Sequence, residues 1–301
     1  MLTAARPSSL DLAVFVIIVN GATGQLGRGI VEQLLARVPA DQVGVSVRDP
    51  GKASAFAARG VRVRRGDFAD PATLSDAFEG ASQVLIVSVD ELGDVAVARH
   101  AAAIEAARAA DAQRILYTSH MGAAPDSPFA AAPDHAATEA LLRDSGVPFT
   151  SLRNGFYANT ATMLVGQALQ TGTLTAPEDG PVSWTAPADL AEAAAIALSR
   201  EGALDGITPP LAGAEAVDLT ALAAIASDVH GRQITRVTVS EDEYRSTLIA
   251  HGTPERFAEM FLGMFRASRR GDFACTDPAL QRLIGHPPTA IRDVLAKASA
   301  C

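Results

Sequence analysis

The chain has 301 residues, is 48% hydrophobic and 20% charged, and carries a formal net charge of −9. That composition is ordinary for a globular protein with enough chain to bury a large core, as one elaborated α/β domain or two small ones. The acidic balance argues against direct nucleic-acid binding and against docking on an anionic membrane, both of which need clustered Lys and Arg. Two cysteines, Cys275 and Cys301, cannot build a disulfide framework and fit a reducing compartment, so a cytoplasmic location is expected.

Residues 1–11 read as a disordered extension. Arg6 and the apolar run 12–19 imitate a signal peptide, but no small-residue cleavage site follows and a glycine-rich loop begins at once. The run is also far short of the ~20 residues that span a bilayer.

The elements then follow in order. Residues 14–19 are apolar and rich in β-branched side chains, as in a buried parallel strand. Leu26, Ile30 and Leu34 recur every four residues and mark a helix face. Further strands are predicted at 43–47, 61–63, 84–87, 115–119 and 149–153, with helices at 52–59, 71–78, 95–110 and 136–144 between them. Strict alternation implies a parallel sheet with helices on both faces. Beyond it come helices at 159–170 and 187–199, the latter with Asp189 near enough to its start to help cap it. Strands are predicted at 207–211 and 234–239, and helices at 241–250, 254–269 and 278–284. The fold class is therefore α/β, a Rossmann-type doubly wound parallel sheet with a smaller, mostly helical C-terminal substrate lobe. The dinucleotide-binding core is assigned to 12–155, completed by about 185–212, and the lobe to 156–184 and 213–301.

The strongest chemical signal is the G-x-x-G-x-x-G turn Gly21-Ala22-Thr23-Gly24-Gln25-Leu26-Gly27, set between the first strand and the first helix. Gly21 allows the tight turn, Gly24 lets the backbone approach a pyrophosphate, and Gly27 lets the helix pack on the strand. The free N–H groups and positive dipole end of the helix N-terminus favour phosphate. An acidic residue about 20 residues further on would bind a ribose 2′-hydroxyl. Here Arg48 stands at that place, followed by Lys52, and a guanidinium grips a 2′-phosphate, so NADP(H) is expected in preference to NAD(H). Asp49 is the competing reading, since a small shift brings it to a 2′-hydroxyl. Asp67 and Phe68 border the expected adenine position, with helix capping the alternative for Asp67. Ser88 follows the fourth strand at the carboxyl edge, where ligands of open α/β sheets bind. The six histidines are scattered and the cysteines isolated, so no metal site is expected, and no Gly-x-Ser-x-Gly elbow occurs.

Gly21 to Gly27, the Ser46-Val47-Arg48-Asp49-Pro50 stretch, Gly66-Asp67-Phe68, Tyr117-Thr118-Ser119, His135-Ala136-Ala137-Thr138-Glu139, Leu152-Arg153-Asn154-Gly155-Phe156-Tyr157 and Leu283-Ile284-Gly285-His286-Pro287 occur in one order. Together they resemble the NmrA-like atypical short-chain dehydrogenase/reductases, and within these the type 2 NAD(P)H:quinone oxidoreductases and the triphenylmethane reductases. The resemblance covers the chain from residue 14 onward.

Ordinary short-chain dehydrogenases use Tyr-x-x-x-Lys, with a Glu often four residues beyond the Lys. If Glu139 matches that Glu, His135 stands at the Lys position and Ala131 at the Tyr position. An alcohol dehydrogenase needs the missing acid, whereas hydride addition to a quinone gives a delocalised anion that water can protonate. The resemblance thus implies an NADPH-dependent reductase transferring hydride directly to a quinone or similar small planar electrophile. The same residues are compatible with a non-catalytic NADP sensor acting through a protein partner, or with a tailoring reductase or isomerase. His135 would hold the nicotinamide ribose or help deliver a proton, with a step in turnover around pH 6–7. Asn154 and Tyr157 would lie by the nicotinamide, and Ser119 would stand where relatives place a catalytic Ser; Tyr117 is read as packing. Oligomeric state is not legible.

Overall fold

The computed structural model describes residues 15–298 except 201 and 203; the extension expected over 1–11 lies outside them. Seven parallel strands form the main sheet: β1 (Ile17–Asn20), β2 (Val43–Val47), β3 (Arg62–Arg65), β4 (Gln83–Ile86), β5 (Arg114–His120), β6 (Phe149–Asn154) and β8 (Gly206–Ile207), in the spatial order β3-β2-β1-β4-β5-β6-β8. Its helices are α1 (Gln25–Leu35), α2 (Ser54–Ala57), α3 (Ala72–Phe78), α4 (Asp94–Ala109), α5 (Ala131–Asp144) and α7 (Pro187–Ser199).

The pleat explains why both faces are covered. Ile17 and Val19 of β1 point into a core with Ile30 and Leu34 of α1 and Leu190 of α7, while Ile18 points the other way, among Phe78, Ile104 and Leu142 of α3, α4 and α5. On the first face small residues bring helices close: a Cβ on Gly29 of α1 would lie 3.1 Å from that of Ala191 in α7. The last carbonyls of α7 are satisfied from the sheet, Ala197 accepting from buried Arg114 at 2.9 Å and Leu198 from Gln83 Nε2 at 3.0 Å.

The second lobe consists of α6 (Ala158–Thr171), β7 (Thr173–Ala176), α8 (Leu219–His230), β9 (Thr235–Thr238), α9 (Glu241–Ala250), α10 (Glu255–Arg269) and α12 (Ile291–Ala298), with β7 and β9 paired in parallel. Its core includes Met121 and Phe129 from the segment leading into α5 and Ala132 from the first turn of that helix, together with Phe156, Leu262, Phe265 and Phe273. The remaining helix, α11 (Ala279–Ile284), lies within the stretch assigned to the lobe but packs Leu280 and Ile284 with α1 and α7.

Several details differ from the sequence reading. β7, α8 and α12 were not foreseen; α8 is alanine-rich, which blurs its apolar stripe, although Asp218 caps it by accepting from Ala221 N at 2.8 Å. α5 starts five residues earlier than expected, at Ala131 rather than 136, because Pro133 falls in the first turn, where a helix tolerates a missing N–H. Asp189 does not cap α7: it is buried and accepts from the backbone N–H of Thr289 at 2.6 Å and its hydroxyl at 3.0 Å, tying the C-terminal segment down.

Candidate functional site

The strand order reverses between β1 and β4, and the crevice beyond their carboxyl ends is where an open α/β sheet binds its ligand. A groove of about 230 Å³ lies there, lined by Gly21, Thr23, Gly24, Ser46, Arg48, Gly66, Asp67, Phe68 and Ser88, among others. Gly21 adopts φ +65°, the left-handed turn that favours glycine. A Cβ on Gly24 would meet only Gly21 O at 3.3 Å, so this position faces open groove. A Cβ on Gly27 would sit 2.3 Å from the same carbonyl oxygen, so this glycine serves the packing of α1. Leu26 is likewise in the core, and Gln25 accepts from Asn159 Nδ2 at 2.5 Å, linking the glycine turn to α6.

Arg48 is exposed, lines the groove and makes no ion pair among the described residues. Asp49, its rival, is engaged: its carboxylate accepts from Gly51 N at 3.0 Å and caps the short turn Pro50–Ala53. Lys52 lies in that turn, exposed and outside the groove lining. Asp67 lines the groove while its Oδ1 accepts from Ala69 N at 2.9 Å, and Phe68 beside it is half-buried. The buried Ser46 hydroxyl, also in the lining, has no hydrogen-bond partner among the described residues. An orphaned hydroxyl, a free guanidinium and an open glycine turn at a helix N-terminus fit the ribose, phosphate and pyrophosphate of a dinucleotide.

Ser88 joins this groove to a second cavity of about 190 Å³, lined by Ser88, Ser119, His120, Phe129, Ala131, His135, Phe156, Tyr157 and Thr160. Its aromatic rings interlock: Phe129, Phe156 and Phe273 lie with centroids 5.0–5.6 Å apart, and His120 packs on all three. Ser119 lines the cavity but its hydroxyl donates to Glu139 at 2.8 Å. Glu139 is buried, accepts from Ser151 at 3.0 Å and forms a two-pronged ion pair with Arg153, at 3.0 and 2.7 Å. Tyr157 lines the cavity, and burial raises its pKa against an opposing hydrogen bond with Asn154. Asn154 itself is buried and outside the lining, its Oδ1 without a partner among the described residues.

His135 lines the cavity with its Nδ1 2.7 Å from the Tyr117 hydroxyl. Tyr117 therefore does more than pack. Burial pushes the His135 pKa well below the ordinary value, helped by the neighbouring His120 and His100. The expectation of a turnover step around pH 6–7 is corrected accordingly: a desolvated imidazole stays neutral through that range. His100, behind them, is also lowered to about 4 by burial; its Nε2 accepts from Val89 N at 3.1 Å and its Nδ1 meets Thr138 Oγ1 at 3.0 Å.

Sequence reasoning missed several lining residues. Asn20 ends β1, and its Oδ1 accepts from Val87 N at 2.5 Å, fixing the mouth of the switch point. Glu91 and Arg99 pair with each other in the groove wall. His120, Phe129 and Phe156 close the second cavity. Of these, His120 carried a usable signal, because it follows Ser119 at the carboxyl end of a predicted strand. Among the described residues no group of three or more His, Cys, Asp or Glu is placed to hold a metal ion, and no helix is long and apolar enough to cross a membrane.

Comparison with known proteins agrees with this geometry. Residues 21–201 match the family described as NAD(P)H-binding. The chain is 38% identical over 278 residues to quinone oxidoreductase 2 of Escherichia coli (strain K12), covering 92% of this chain and 96% of that protein. Its fold matches the crystal structure of the NADPH-dependent quinone oxidoreductase from Escherichia coli complexed with NADPH, with a TM-score of 0.89, 36% identity and coverage of 94% and 99% of the two chains. Citrobacter sp. triphenylmethane reductase complexed with NADP(H) superposes with a TM-score of 0.87 at 34% identity, again covering 94% and 99%. The chain belongs to the NAD(P)H-binding family, and within it to the NmrA-like oxidoreductases.

Proposed function

We propose that this protein is an NADPH-dependent reductase that transfers hydride directly to quinones or similar planar electrophiles. The observation that carries the reading is the junction at Ser88: a dinucleotide groove opens there into a small aromatic-lined cavity of about 190 Å³. When bound, the reduced nicotinamide supplies the hydride; the protein supplies alignment and dryness. Arg48 is assigned to the 2′-phosphate, Gly24 and the first turn of α1 to the pyrophosphate, and Asp67 and Phe68 to the adenine. Phe129, Phe156 and Tyr157 give a planar substrate an aromatic wall and exclude water, beside His120, His135 and Thr160 in the same lining. Ala131 lines the cavity where an alcohol dehydrogenase would need its tyrosine acid, so an electrophile whose reduced form is a stable anion suits it better than a ketone. The similarity to quinone oxidoreductase 2 and to triphenylmethane reductase supports a planar, conjugated substrate class.

The test is to mix the protein with NADPH and a simple quinone and follow the absorbance of the reduced cofactor. Quinone-dependent oxidation is expected; tight NADPH binding with no oxidation by quinones or cationic dyes would replace this reading with a cofactor sensor.

A further inference from the structure

The cavity holds two histidines, of which only His135 was foreseen. His120 is the last residue of β5 and His135 lies in α5; their rings stack at 22° with centroids 6.0 Å apart. Each ring has its Nδ1 occupied. The backbone N–H of Gly122 donates to His120 Nδ1 at 3.0 Å. The Tyr117 hydroxyl lies 2.7 Å from His135 Nδ1; where the phenol donates across this contact, the His135 proton sits on Nε2. Both imidazoles are neutral, because burial lowers His120 to about 4 and His135 well below the ordinary histidine value. A neutral imidazole has one proton, and where Nδ1 accepts, that proton is on Nε2. Neither Nε2 has a hydrogen-bond partner among the described residues, and neither is among the buried polar atoms shut away from the surface. Both Nε2 atoms therefore keep some accessible surface, on two rings that line the cavity. The Ser119 hydroxyl, also in that wall, is already given to Glu139.

We propose that His120 and His135 are a pair of neutral N–H donors that receives the carbonyl oxygen of the electrophile and stabilises the oxyanion created by hydride addition. The proposal rests on the quinone-reduction reading above. In that reaction the C–H bond of the reduced cofactor would break, its hydride would bond to one carbonyl oxygen of the quinone, and the displaced electron pair would pass through the ring to the opposite carbonyl oxygen, the one that the donors hold. The quinone is reduced to the hydroquinone monoanion and NADPH is oxidised to NADP+. Neither ring gives up its proton: loss of Nε2–H would leave an imidazolate, and a relay from Tyr117 would leave a buried phenolate. The remaining proton comes from water as the product leaves. Neutral donors suit this task because they stabilise the developing charge while adding no cation to a site that already binds the oxidised nicotinamide. His120 and His135 are catalytic residues in this scheme, and Tyr117 is a positioning residue that fixes the tautomer of His135.

The experiment uses the full chain saturated with NADP+, so that nothing turns over, and 4-nitrophenol as the probe, which resembles a hydroquinone in shape and titrates near neutrality. Its absorbance reports the ratio of phenolate to phenol bound. A donor that favours the anion should give wild type a phenolate preference that falls about tenfold for each of His120→Phe and His135→Phe. His120→Gln, which keeps an N–H donor, should retain most of it and guards against a misfolded Phe variant. In NADPH and quinone turnover the same Phe variants should lose roughly 100-fold in kcat. An unchanged phenolate preference in both Phe variants, equal losses in folded His120→Phe and His120→Gln, or no binding of the probe by wild type overturns the donor pair. Failure of wild type to oxidise NADPH with any quinone while the probe behaves as expected overturns the assigned reaction and leaves the donor pair standing.

Discussion

Replacing Arg48 with Ala should separate the two nicotinamide cofactors. The guanidinium is exposed, lines the groove at the end of β2 and makes no ion pair among the described residues, so nothing in the protein competes for it. A hydrogen bond to a charged group contributes about 1.5–3 kcal/mol, and solvent at an exposed site favours the lower end. At about 1.4 kcal/mol per factor of ten, NADPH affinity should fall roughly tenfold. NADH lacks the 2′-phosphate and its affinity should barely move. Asp49 offers no substitute for the cation, and its Oδ1 is turned to Gly51 N at 3.0 Å. Titration of both reduced cofactors by nicotinamide fluorescence reads the two constants directly. An equal loss for NADPH and NADH would refute the 2′-phosphate role and reduce Arg48 to a general contributor to the potential of the groove.

Gly24→Val should abolish cofactor binding in a folded protein, since its side chain enters open groove. Gly27→Ala should instead lower the melting temperature by several degrees, because its Cβ would press on backbone 2.3 Å away. Calorimetry of the two variants, with and without NADPH, checks the contrast; a Gly24→Val protein that binds normally would make the loop a mere turn. Stability should fall with acid. His100 is almost wholly buried and its pKa is lowered to about 4, so the unfolded chain binds its proton first as pH drops below the ordinary value of 6.5. That stabilisation is complete above pH 6.5 and is lost toward pH 4, roughly 3 kcal/mol for this residue alone. A melting temperature that stays flat between pH 7.5 and 5 would count against it. Tyr117→Phe removes the donor to His135 Nδ1 and should let the imidazole populate both tautomers, visible in nitrogen chemical shifts of labelled histidine, with kcat down by about tenfold and KM little changed. Unaltered shifts would mean that something other than Tyr117 sets the tautomer.

What the sequence determined by itself is local. A β-branched run, a glycine turn and a four-residue apolar period lie within a single strand–turn–helix unit, so β1, the glycine turn and α1 were legible together, and Arg48 by its spacing was placed at the groove it lines. The alternation of strand and helix was enough for the parallel sheet, because a helix between two strands carries the chain back to the same end of the sheet, so that successive strands run parallel. Recognition of the family rested on the same local motifs. The second cavity was beyond reach for the opposite reason. His120 on β5, His135 on α5 and Phe156 after β6 are distant in sequence, and only packing of the lobe over the sheet edge brings them round one space. Asp189 shows the same limit: its position near a helix start suggests a cap, yet its partner is Thr289, 100 residues away. The protonation states of the histidines belong wholly to the tertiary structure. Sequence supplies an imidazole that titrates near neutrality; burial among aromatic rings lowers the pKa of both, with Gly122 N–H on Nδ1 of His120 and the Tyr117 hydroxyl against Nδ1 of His135.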